Sequence, residues 1–100
     1  RDLLEENFKK HRTVRFYSDN INISEKRLYL ATKNLLNKTP KQLIDERMLL
    51  EAKRFLINRS INVKEIAFEL GFEELTYFIK FFRKHTKQTP VEFRKNYQSM

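Results

Sequence analysis

Residues 63–83 read Val63-Lys64-Glu65-Ile66-Ala67-Phe68-Glu69-Leu70-Gly71-Phe72-Glu73-Glu74-Leu75-Thr76-Tyr77-Phe78-Ile79-Lys80-Phe81-Phe82-Arg83. Val63, Ile66, Ala67 and Leu70 recur at helical spacing and predict a short helix over about 63–70. Gly71 is the single glycine in the chain and stops it. Leu75, Phe78, Phe81 and Phe82 predict a second helix over about 74–86. Two helices that meet at a steep angle need a small residue where they cross, and Ala67 fits that place. The first must end on a residue free to take positive φ, and only glycine does so without steric cost. Ile66, Leu70, Phe78 and Phe82 then form the core under the crossing. This is the logic of a helix-turn-helix unit, whose second helix lies in the DNA major groove. A plain αα-hairpin packed for stability shares the same Ala-x-x-x-Gly spacing and stays open on spacing alone.

Outward from this stretch the chain is helical on both sides. One Gly and two Pro leave few turns in 100 residues. Leu3, Leu4 and Phe8 mark a helix over roughly 2–11, and Val14, Phe16, Tyr17 and Ile21 a short one over roughly 14–20. Ser24 is a natural N-cap for a third, near 24–36, with Leu28, Ala31 and Leu35 as its apolar stripe. Thr39-Pro40 reads as N-cap and first helical position. From there Leu43, Ile44, Met48, Leu50, Ala52, Phe55 and Leu56 sustain a long helix to about Asn58, followed by a turn at Asn58-Arg59-Ser60. Thr89-Pro90 starts a seventh helix through Val91, Phe93 and Tyr97. The expectation is an all-α chain of about seven helices.

The two halves also repeat. Displaced by 50 positions, Leu28 falls on Phe78, Thr32 on Phe82, Lys33 on Arg83, and Thr39-Pro40 on Thr89-Pro90. Upstream a displacement of 49 aligns Ser18 with Ala67 and Ile21 with Leu70. The same unit of short helix, turn and longer helix is used twice. The expected division is a first unit at 1–39, a linker helix at 40–58 and a second unit at 59–100.

Composition narrows the function. With no Cys there is no disulfide, no thiolate nucleophile and no Cys-ligated zinc, which suits a reducing cytoplasm. His11 and His85 make no metal-ligand spacing, and a lone glycine excludes every Gly-rich phosphate loop. Neither metal nor cofactor is expected. Glu5-Glu6 and Glu73-Glu74 are neighbours that do not face each other on a helix, so a solvated face or a helix-dipole role suits them better than catalysis. Phe78, Phe81 and Phe82 share one helical face and read as core, not as a stacking platform for single strands. No apolar run reaches the ~18–20 residues a membrane span needs, and no signal-peptide pattern opens the chain. A chain opening at Arg1 is read as a piece of something longer. The net charge is +8. A small, basic chain of this kind is expected to bind, not to catalyse.

Three stretches together resemble the signature of AraC/XylS-type transcription regulators: Lys64 to Phe72, Tyr77 to Thr86, and Thr89-Pro90-Val91-Glu92-Phe93-Arg94. The likeness runs from about Phe16 to Tyr97 and includes Asn22-Ile23-Ser24, Leu28, Lys33, Lys38-Thr39-Pro40 and Glu51-Ala52-Lys53-Arg54-Phe55-Leu56 in the first half. It implies a DNA-binding domain of seven helices, with two helix-turn-helix units reading successive major grooves. On that reading Lys26, Arg27, Tyr29 and Leu30 face the first groove. Leu75, Thr76, Tyr77, Ile79 and Lys80 face the second. Lys33, Lys38, Arg83 and Lys84 lie near phosphates, and Gly71 makes the turn. Arg94 matches a position that is either structural or phosphate-bound.

Five departures from the family pattern stand out. Leu30 replaces a polar or basic residue, and Leu75 sits where a polar one is frequent. At Leu75 an apolar side chain either touches a thymine methyl or joins the core. Thr32 stands where an aromatic residue usually packs, which loosens the first core. Asn37 replaces a glycine but tolerates the left-handed conformation, and Ser18 replaces the small Ala of the first unit.

Charge is uneven, with net values of +1 over 1–24, +5 over 25–60 and +2 over 61–100. The first unit and the linker therefore supply most of the electrostatic grip. The expected partner is double-stranded DNA, with no membrane, a contact with RNA polymerase, and any dimerisation through a segment beyond these residues. A helical protein–protein adaptor with a basic face is the alternative, and a binder of structured RNA a third. The uninterrupted linker predicts a rod of ~27 Å at 1.5 Å per residue, suited to two grooves one turn apart and to an asymmetric site.

Overall fold

A computed structural model describes residues 2–58 and 60–98 of the chain. The described residues form seven α-helices: α1 (Leu3–Asn7), α2 (Val14–Asn20), α3 (Glu25–Leu36), α4 (Pro40–Ile57), α5 (Val63–Glu69), α6 (Leu75–Thr86) and α7 (Pro90–Gln98). The fold is all-α, as the periodicity predicts. Two compact units divide within α4, Arg1–Met48 and Leu49–Met100. Arg59, in the turn expected after α4, lies outside the described residues.

In the first unit α2 packs on α3. Thr13 caps α2 by accepting from the Phe16 amide at 3.3 Å. Ser24 caps α3 by accepting from the Arg27 amide at 3.1 Å. Tyr17 and Ser18 are buried, and the Ser18 hydroxyl donates to the Arg15 carbonyl at 3.1 Å, so its burial leaves no unpaired polar group. Phe8 is buried too. The helix expected over 2–11 stops at Asn7. Beyond Phe8 come Lys9, Lys10, His11 and Arg12, which offer no apolar side chain to continue a buried stripe. The Asn7 carbonyl instead accepts from the amides of Lys10 and His11, closing a turn.

The apolar stripe expected on α3 is also different. Ala31 is exposed and Leu35 is 81% exposed, while Leu28 and Thr32 are the residues turned inward. Position 32 carries no aromatic ring, so α3 has no buried residue at all. A recess of about 150 Å³ opens there, lined by Leu4, Tyr17, Leu28, Thr32, Leu43 and Ile44 among others.

In the second unit α5 packs on α6 and α6 on α7. Ile66, Leu70, Phe78 and Phe82 are all fully buried, with Ala67 at 1% exposure beside them. Phe72 is buried against Phe78 and Phe81, with ring centroids 5.3 and 5.6 Å away. Phe82 meets Phe93 of α7 edge-on at 5.5 Å. This core is aromatic where its counterpart in the first unit has a recess.

Along α4, Ile44, Met48, Ala52 and Leu56 are buried at every fourth position, whereas Leu50 is exposed. Thr39 and Gln42 form a reciprocal capping box at its start, with bonds of 3.1 and 2.8 Å. Thr89 and Glu92 form the same box at the start of α7, with bonds of 3.1 and 2.9 Å.

Candidate nucleic-acid interface

Both units build the same turn with the same backbone bonds. In the second, Gly71 takes φ 89, and the Phe72 amide closes onto the Ala67 carbonyl at 3.0 Å. In the first, Asn22 takes φ 58, and the Ile23 amide closes onto the Ser18 carbonyl at 3.1 Å. Every pair is offset by 49 positions. Further on, Asn37 and Lys87, offset by 50, end α3 and α6 in the left-handed region at φ 58 and 67. Asn37 thus keeps the turn that a glycine would make. Asn22 enters the sequence reading only within Asn22-Ile23-Ser24, and neither it nor Lys87 is read there as left-handed. Asparagine tolerates positive φ, and the repeat alignment was the available signal for both.

These turns set which faces of α3 and α6 point outward. On α3 the exposed residues include Lys26, Arg27, Tyr29 and Leu30, and Lys33 is half-buried. On α6 Thr76, Tyr77, Lys80, Arg83 and Lys84 are exposed, while Leu75 and Ile79 are half-buried. Lys38 is half-buried and bridges Glu46 at 2.9 Å. Lys26, Arg27, Lys33, Lys80, Arg83 and Lys84 form no salt bridge among the described residues. Each outer face therefore carries cations that no carboxylate neutralises.

Three supports hold these faces in place, and none was legible as such in sequence. Arg94 reaches back to the end of α4, donating to the carbonyls of Leu56 at 2.8 Å, Asn58 at 3.1 Å and Ile61 at 2.7 Å. Its planar fork satisfies carbonyls that the helix terminus leaves without partners, so Arg94 is structural. In the first unit Arg47 forks onto Glu5 with bonds of 2.6 and 2.8 Å and lies 4.2 Å over the Phe8 ring. Glu5 is thus an ion-pair partner, beyond the solvated or dipole role read for it. Tyr17 donates its hydroxyl to the His11 carbonyl at 2.7 Å, and burial raises its pKa. Burial lowers the pKa of Arg12, and the opposing charge of Asp45 counters it. Among the described residues no group of three or more His, Asp or Glu could hold a metal ion. No helix among them is long and apolar enough to cross a membrane.

Comparison with known proteins agrees with this geometry. A family model described as a helix-turn-helix domain matches residues 17–96. The chain is 37% identical over 78 residues to the xylose operon regulatory protein of Haemophilus influenzae, a match covering 78% of this chain and 20% of that protein. It spans between 6% and 34% of the length of the first curated relatives it matches. Among solved structures it is similar to the C-terminal domain of the two-component response regulator yesN from Fusobacterium nucleatum, with TM-score 0.82 and 25% identity over 93% of this chain and 91% of the other. It also shares the fold of the DNA-binding domain of AdpA, a global transcriptional factor solved in complex with a target DNA. There the TM-score is 0.80 at 22% identity, over 96% of this chain and 86% of the other.

Proposed function

This chain belongs to the AraC/XylS-type helix-turn-helix family of DNA-binding domains, and from that premise we propose that it reads a specific duplex sequence through the outer faces of α3 and α6. The observation that carries the reading is the duplicated turn. Two units with the same closing bonds and left-handed residues at equivalent positions each leave a helix face bearing cations outside any salt bridge among the described residues.

In this proposal Lys26, Arg27 and Tyr29 of α3 reach base edges, as do Leu75, Thr76, Tyr77, Ile79 and Lys80 of α6. Lys33, Lys38, Arg83 and Lys84 hold phosphates, and Gly71 makes the turn that presents α6. Phosphate contacts position the protein and base contacts select the sequence. The two halves joined by α4 act together as one DNA-binding domain. The work is recognition and not catalysis, and its place is the cytoplasm, where the same protein would meet RNA polymerase. Any dimerisation would use a segment beyond these residues.

Selection of bound sequences from a random duplex pool tests the reading. An enriched asymmetric motif is expected. Lys80→Ala should lose about 1–3 kcal/mol on that motif and relax one of its positions. Lys33→Ala should weaken binding to all sequences alike. A Lys80→Ala protein that selects an unchanged motif would place the reading face elsewhere.

A further inference from the structure

At 100° per residue, Leu30 lies about 160° around the α3 axis from both Leu28 and Thr32. Those two are the inward residues that line the recess. Leu30 therefore lies on the side of α3 away from the recess, and it is 48% exposed. Its neighbours at three and four residues' distance are Lys26, Arg27, Lys33 and Asn34, all polar. An exposed leucine at the centre of a basic face serves neither the core nor the attraction to phosphate. The same analysis on α6 puts Lys80 on the side away from the core, about 160° from the buried Phe78 and Phe82. Leu30 and Lys80 are offset by 50 positions, so the two units carry opposite chemistry at the point that would lie deepest in a groove.

We propose that Leu30 is a specificity-determining residue that reads the 5-methyl group of a thymine. The proposal rests on the reading that α3 enters a major groove. Of the groups a base pair presents there, the thymine methyl is the apolar one, and an apolar side chain contacts it. Lysine at the equivalent place on α6 suits the O6 and N7 acceptors of guanine. Leu75 is a weaker candidate for the same role, because it is half-buried at the first position of α6. At this pair of equivalent positions the first unit thus selects by apolar contact and the second by hydrogen bonding.

The test uses the duplex recovered from the random pool. Each of its thymines is replaced in turn by deoxyuracil, which keeps every hydrogen-bonding group and loses only the methyl. At one position the affinity of the unmodified protein should fall about fourfold, the worth of one buried methyl-sized group. Leu30→Ala should bind the thymine and uracil duplexes equally, and its melting temperature should hold because Leu30 is no part of the buried core. Leu30→Lys, which copies the chemistry of position 80, should change the selected base at that position from thymine to guanine. Uracil tolerated at every position overturns the proposal, as does a uracil penalty that persists in Leu30→Ala. Failure to bind any duplex would overturn both this proposal and the function it rests on. Binding with no methyl dependence would overturn this one alone.

Discussion

Gly71 holds φ 89, in the region where a Cβ atom is costly, and its amide still donates to the Phe68 carbonyl at 3.0 Å. Gly71→Val should cost on the order of 1–3 kcal/mol through backbone strain. In a domain whose whole stability is about 5–15 kcal/mol, that lowers the melting temperature, and DNA binding should fall with it because the turn presents α6. An unchanged thermal unfolding curve would refute this account. The first unit solves the same problem with Asn22 at φ 58, at some strain, since asparagine is only the better tolerated of the residues with a side chain. Position 32 offers the opposite experiment. Thr32 borders the recess of about 150 Å³ at the place where Phe82 fills the second unit. Thr32→Phe should raise stability by about 0.5–2 kcal/mol by filling it, as read by chemical denaturation. A loss instead would mean that the ring is larger than the recess can take. The departure at position 32 was legible in sequence from the repeat alone. The exposure of Leu35 was not: it lies within about 20° of the inward Leu28 around the helix axis, and periodicity gives a residue's direction without saying whether another element covers it there.

At the scale of elements, what ends a helix matters as much as what forms it. The start of α4 was readable from Thr39-Pro40, and the capping box with Gln42 confirms that choice of residues. Its end was readable at about Asn58, one residue past Ile57, but what satisfies its last carbonyls was not, because those groups come from Arg94, some 36 to 38 positions later in the chain. Replacing Arg94 by Ala leaves those carbonyls to water or to nothing, and a charged hydrogen-bonding group of this sort is worth about 1.5–3 kcal/mol. Urea denaturation should show a loss of that order. Arg94→Lys should recover little of it, since an ammonium cannot span three carbonyls as a planar fork does. Once folded, Arg94→Ala should keep the salt dependence of DNA binding shown by the unsubstituted protein. A slope reduced by about one would assign Arg94 to a phosphate instead. The short α1 illustrates the same limit from the other end. Its apolar spacing predicted a longer helix, but its register depends on Phe8 and on the Glu5–Arg47 pair, which joins residues 42 positions apart.

Over the whole molecule the charge is +8, and the largest excess lies in residues 25–60. If roughly 6–10 phosphates are engaged, counterion release should cost about 10³–10⁵ in affinity between 50 and 200 mM salt. Titrations of a duplex at several salt concentrations check this, and nearly salt-independent binding would remove electrostatics from the proposal. The sequence by itself determined the helical class, six of the seven helices to within a residue or two, the duplicated unit and the core under its second turn. Each of these is a local matter of periodicity, caps and a lone glycine, and the repeat doubles the signal. It also determined the rows of outward cations on α3 and α6, because solvent-facing positions follow from the helical period once the core residues are known. The tertiary structure alone decided how tightly each core closes, how much of the expected apolar stripe of α3 is covered, and which charges serve the fold. Arg94 and Arg47 are indistinguishable in sequence from cations that would meet a phosphate. They become structural only when folding brings carbonyls, a carboxylate and a ring to them from dozens of residues away, and no local pattern encodes such a meeting.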